Sequence, residues 1–213
     1  GGAPSDQTGA SGADITECVN NGEITCATYC KGTVPTCGGI VAYPGFLDPS
    51  QTNLITRCEN KGVINATTFA IARVGGIAGC HIANSKWINV VNKGDILVEN
   101  VTTKYALVGG ISGHTSASGL YEGTLVNLGN IIVRNCTFSD LASTKIGGIV
   151  GNNYGATIIN CHNYADVTGN ASVGGIVGYT RDYHHNKDGY IVACTTYPEA
   201  TITANNGNAG GIA

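Results

Sequence analysis

Apolar residues in this chain follow no helical stripe. They return in short bursts of two or three, set between glycines and asparagines. Ile131-Ile132-Val133, Ile158-Ile159, Ile191-Val192 and Thr201-Ile202-Thr203 are β-rich, and the alternation in Ile96-Leu97-Val98-Glu99 fades after a few residues. That pattern predicts strands of about 3–5 residues. No stretch places apolar residues at helical spacing over three turns, and glycine is too frequent for stable helix interiors. Helical repeats are therefore rejected.

Two motifs organise the bursts. A Gly-Gly-Ile triplet occurs at Gly38, Gly75, Gly109, Gly147, Gly174 and Gly210. Between copies lies Cys-x-Asn-x-Gly-x-Ile, clearest from Cys18 to Ile24 and from Cys58 to Ile64, with weaker members starting at Val90, Leu125, Cys161 and Cys194. The first and last starts are five steps apart, a mean period of about 35 residues. Such a period marks units that bury their apolar faces only against their neighbours. The triplet glycines permit close approach of backbone layers. Asn20, Asn60, Asn92, Asn127 and Asn163 fall in register and are expected to stack as an amide ladder at a corner, with Gly22, Gly62, Gly94 and Gly129 completing the turn. Ile24, Ile64, Ile96, Ile131 and Val167 then re-enter the core.

The expected fold is all-β: a parallel β-helix (β-solenoid) of about six coils with ~35-residue repeats, right-handed by the general crossover rule. It forms one domain over residues 1–213, with a Cys-rich insertion at 25–37 in the first coil and a charged loop at 180–189. A propeller is the second choice, but its blades of ~40–50 residues need four strands each.

Composition narrows the function. Charged residues are 12%, about half the usual share of a soluble domain. Net charge is −3, which argues against nucleic acid as a partner, since that needs a basic stripe. No apolar run reaches the ~18 residues that read as a transmembrane segment. Nine cysteines in a weakly charged, Asn/Thr-rich chain point to an oxidising compartment, and their spacing is not that of a zinc site. Cys26, Cys30 and Cys37 are the disulfide candidates. Cys18, Cys58, Cys161 and Cys194 share one repeat slot with Val90 and Leu125, so they are read first as small buried apolar residues rather than cross-rung bridges.

The pairing of [VIA]GGI[VAS]G with N-C-x-N-x-G-x-[IV] resembles the GLUG repeat of bacterial and some eukaryotic surface proteins. The resemblance covers roughly residues 15–212 and is good from Ile146 to Gly169, IGGIVGNNYGATIINCHNYADVTG. It is loose at Gly119–Leu128 and at Cys194–Pro198, where the Asn and Gly are lost. It implies an extracellular structural or adhesive role and brings no catalytic residues.

The chain opens on a Cys-x-Asn-x-Gly half-unit and closes on a Gly-Gly-Ile half-unit, and the two are complementary. Three readings follow: a piece of a longer repeat protein, a head-to-tail filament, or irregular caps. In the filament, Gly210, Gly211 and Ile212 meet Ile15 and Cys18 of the next copy.

Sequons at Asn65, Asn100, Asn135 and Asn170 stand 35 residues apart. They are glycosylation candidates if the source is eukaryotic. The loop from Arg181 to Asp188 holds His184 and His185 and is read as solvated rather than as a metal site. The 14 acidic residues are scattered, without the converging carboxylates of a polysaccharide-cleaving β-helix, and the ten tyrosines show no cluster. No catalytic residue, metal or cofactor is assigned, and the protein is not expected to be an enzyme. The expected function is an extracellular or cell-surface structural protein, self-associating head to tail or serving as an adhesin segment, with a glycan or host-surface ligand as possible partner. The alternative is a carbohydrate-binding or carbohydrate-cleaving β-helix.

Overall fold

A computed structural model describes residues 14–26, 35–43, 52–67, 73–80, 85–115, 119–121, 123–181 and 190–213. The chain winds as a β-solenoid. The third coil shows the plan: Ser85–Ile88, Val90–Asn92, Ile96–Glu99, Leu107–Gly109 and Ser112–Thr115 lie in five successive sheets. Every strand pairing is parallel, and each strand hydrogen-bonds to its counterparts one coil away. Among the described residues a two-stranded side sheet, Thr102–Thr103 with Thr137–Phe138, joins the third and fourth coils.

The first four sheets hold six strands each. The fifth has three, in the third to fifth coils, continued by single bridges at Val41 and Ala78. Among the described residues, complete turns are thus fewer than the six coils read from the repeat.

Register follows the motif. Ile24, Ile64, Ile96, Ile131, Val167 and Ile202 stack in one column of the third sheet. The interior has two apolar lobes. One lies between the third and fourth sheets and includes Ile64, Val98, Val133 and Ile146. The other gathers Ile55, Trp87, Leu125, Ile158 and the triplet isoleucines Ile77, Ile111, Ile149 and Ile176. Trp87 and Tyr121 stack inside it with ring centroids 5.1 Å apart.

Between the lobes the wall is polar. A methyl on Gly110 would overlap the Gly148 carbonyl oxygen and the Asn127 side chain, and Gly76 stands in the same relation to Gly110 and Asn92. The second triplet glycine is needed at Gly39, Gly76, Gly110 and Gly148 because backbone and amide ladder touch there.

One recurrent feature escaped the sequence reading. The residue turning from the first sheet to the second is left-handed in every coil: Glu17, Arg57, Asn89, Gly123, Asn160 and Ala193, with φ of 55°, 51°, 54°, 80°, 53° and 53°. For the non-glycine members that conformation costs roughly 1 kcal/mol each. It is tolerated because strands on both sides hold the bend.

Candidate functional site

The asparagine ladder sits inside the solenoid. Asn20 Nδ2 donates to Asn60 Oδ1 at 2.8 Å, Asn60 to Asn92 at 2.8 Å, Asn92 to Asn127 at 2.8 Å and Asn127 to Asn163 at 2.9 Å. Each Nδ2 also donates to the backbone carbonyl two residues on, Gly62 for Asn60 and Ala165 for Asn163. Asn60, Asn92, Asn127 and Asn163 have no exposure, and both amide hydrogens of each ladder donor from Asn20 to Asn127 are used. In the last coil Thr196 takes the ladder position and donates to the Gly211 carbonyl at 2.6 Å.

The assembly candidates divide between the two edges of the stack. Gly210 pairs with Gly174, and the Ile212 carbonyl accepts from Ile176 and Val177. Beyond them the surface is open among the described residues. Gly211 has nothing within 4 Å of where a Cβ would stand, Ile212 is 39% exposed and Val192 48%. At the opposite edge Ile15 is half-buried against the second lobe, Cys18 is exposed and Val19 is 49% exposed.

Cys26 and Cys37 form a disulfide that ties the third and fourth sheets in the first coil. Cys30 lies outside the described residues, as does the His184-His185 loop. Cys58 and Cys161 are buried free thiols in the second lobe, and Cys194 stacks on Cys161. The Cys161 thiol hydrogen-bonds the Cys194 sulfur, drawing its pKa down to about 7 and holding Cys161 itself protonated. Burial pushes Cys80 up to about 11.

The sequons do not share one column. Asn65 is inside a strand of the third sheet, paired with Thr25 and Leu97. Asn100 and Asn135 are exposed at the left-handed corner that follows that sheet, with φ of 57° and 54°. Asn170 is half-buried and donates to the Cys136 carbonyl at 3.2 Å.

Three tyrosines that look scattered along the sequence, Tyr105, Tyr154 and Tyr179, come to one flank. Tyr105 and Tyr154 line an open pocket of about 230 Å³ with Arg73 and Lys104, and Tyr179 lies beside Lys145 farther along the axis. The only sequence signal was length: residues 100–106 and 135–144 intervene between third and fourth sheets in two coils, against 170–171 in the fifth. Among the described residues no group of three His, Cys, Asp or Glu side chains is placed to hold a metal ion, and no helix is long and apolar enough to cross a membrane.

Compared with protein-family models, curated proteins and solved structures, the chain matches none.

Proposed function

We propose that this protein is an extracellular structural protein, a stiff β-solenoid that stacks head to tail into a filament or forms a repeat segment of a larger surface adhesin. One observation carries the reading. The contact between the second triplet glycine and the next rung's carbonyl recurs from Gly39 through Gly175, and Gly211 presents the same backbone with no rung above it. Unpaired parallel edges recruit further strands, and a heterologous contact that does not close makes a fibre. A further rung, from a second copy or from more of the same polypeptide, fits that edge. The Cys26–Cys37 disulfide supports an oxidising compartment, and the resemblance to GLUG repeats supports a surface role.

Electron microscopy and sedimentation of the native protein test this. Filaments with an axial repeat near six rungs of ~4.8 Å, or ~29 Å, are expected. Gly211→Ala should keep the fold and stop growth, because its methyl would overlap an added rung as one on Gly175 overlaps Gly211. Wild-type protein that stays monomeric at high concentration removes the filament and leaves the adhesin segment. Filaments unaffected by Gly211→Ala would remove this edge as the contact.

A further inference from the structure

We propose that the concave flank between the fourth and fifth sheets binds an extended acidic polysaccharide, a chain of pyranose units bearing carboxylate or sulfate groups. This site lies on the side of the solenoid and is independent of assembly at its edges.

The flank is built by register. Arg73, Leu107, Lys145 and Ser172 form one column on the fourth sheet. His114, Asn152 and Tyr179 form the facing column on the fifth. Loops holding Lys104, Tyr105, Asp140 and Ser143 close one side and leave the pocket of about 230 Å³. A concave site with a few converging polar groups is the usual form of a ligand pocket.

Its charge runs against that of the chain. Arg73 and Lys104 line the pocket; Lys145 Nζ stands 4.7 Å from the Tyr179 ring centre and the Arg181 guanidinium 5.9 Å from that of Tyr154. Among the described residues Asp140 is the single acid lining the pocket, and its carboxylate accepts the Ser143 N–H at 3.1 Å. Among the described residues four cations therefore gather on one flank of a protein whose net charge is −3. Guanidinium and ammonium groups select carboxylate and sulfate oxygens.

Two polar atoms point to a ligand rather than to a structural network. Asn152 is 6% exposed, yet its Oδ1 has no hydrogen-bond partner among the described residues. Arg73 Nη1 donates to Cys80 Sγ at 2.9 Å, while its buried Nε has no partner among them. A buried group left unmatched is costly, and a sugar hydroxyl answers the first as an anionic oxygen answers the second. Tyr154, held edge-on by His114 at 5.0 Å between ring centres, and Tyr105 offer flat faces to the C–H side of a pyranose. Rungs are ~4.8 Å apart along the axis, a rise comparable to that of one sugar unit, and the column cations Arg73 and Lys145 stand two rungs apart. An elongated chain meets them in turn. Duplex nucleic acid would demand a continuous basic stripe, and here cations alternate with rings.

The test is calorimetry on the full chain with a heparin-derived hexasaccharide, an oligogalacturonate hexamer, maltohexaose and a short DNA duplex. Saturable binding of either acidic oligosaccharide is expected, and which one binds identifies sulfate or carboxylate. Arg73→Ala with Lys104→Ala should weaken it at least about tenfold, while Lys61→Ala with Lys93→Ala, away from the flank, should change it less than about twofold. Lys104→Ala with Tyr105→Ala, both on a loop, serves if Arg73→Ala disturbs the fold and should also weaken binding. Three results overturn the proposal: no binding of either acidic probe, equal loss in the Lys61/Lys93 control, or equally tight binding of maltohexaose or DNA.

Discussion

Asn60 donates its amide to Asn92 at 2.8 Å, and neither side chain has any exposure. The same Nδ2 also satisfies the Gly62 carbonyl at 2.9 Å. Five coils are thereby joined through a polar seam in which each amide is donor to the next and acceptor from the last. A fully satisfied buried network of this kind specifies register, and a broken one is costly.

Asn92→Ala is expected to destabilise the protein by about 3 kcal/mol, since it removes the hydrogen bonds that Asn92 makes with Asn60 Nδ2, Asn127 Oδ1 and the Gly94 carbonyl, leaving Asn60 Nδ2 only its bond to Gly62. Asn92→Asp should cost at least as much, because a carboxylate would face the Asn127 oxygen. Asn20→Ala, at the exposed end of the seam, should cost about 1 kcal/mol or less. Urea midpoints followed by circular dichroism measure all three.

Gly110→Ala should prevent folding or cost more than about 3 kcal/mol, since its methyl would overlap the Gly148 carbonyl oxygen and Asn127. Gly211→Ala meets nothing within 4 Å and should leave stability within about 0.5 kcal/mol. Thermal midpoints of the two variants, at the same motif position three coils apart, are the comparison to make.

Removing the Cys26–Cys37 disulfide by reduction or by Cys37→Ser should cost about 2–3 kcal/mol, the value expected for closing a loop of this length. Unfolding with and without reductant reads the difference. An unchanged midpoint in reductant would mean that the first coil does not depend on the bond.

Cys194 should be the thiol that responds to pH near neutrality. Its pKa is drawn down to about 7 by the Cys161 thiol, so alkylation should rise through that pH and level off above it as the thiolate becomes the majority form. Cys161→Ala removes the donor and should move the midpoint up. Cys80, at about 11 through burial, should stay unreacted across this range. Mass-spectrometric mapping of iodoacetamide adducts against pH follows each site.

In a secretory host that glycosylates sequons, Asn100 and Asn135 should carry glycan, because both are exposed at turned-out corners. Asn170 spends its Nδ2 on the Cys136 carbonyl and should be modified less. Peptide mapping after deglycosylation distinguishes them.

The solenoid was legible because each of its constraints recurs. A single Asn at position 60 says little, but Asn20, Asn60, Asn92, Asn127 and Asn163 at one motif position can satisfy their amides only by stacking. The Ile24 to Val167 column is readable for the same reason. The left-handed corner was not, because Glu17, Arg57, Asn89, Gly123, Asn160 and Ala193 share a backbone state and no side-chain type. That bend is imposed by the strands flanking it.

What the sequence determined by itself was the repeat: its period, the β character of each unit, the residues facing inward and the glycines that let rungs touch. These are local requirements, met or failed within one coil and its neighbour. The tertiary structure alone decided which side chains meet across the winding. It turned the amide ladder, at the corner between the second and third sheets, inward against the second triplet glycines. It separated Asn65 from Asn100 and Asn135, and brought Arg73, Lys104, Asn152 and Tyr154 together on one flank. Those distances depend on where the chain bends and on how far each loop carries it between sheets, and coils of unequal length leave that out of a one-dimensional pattern.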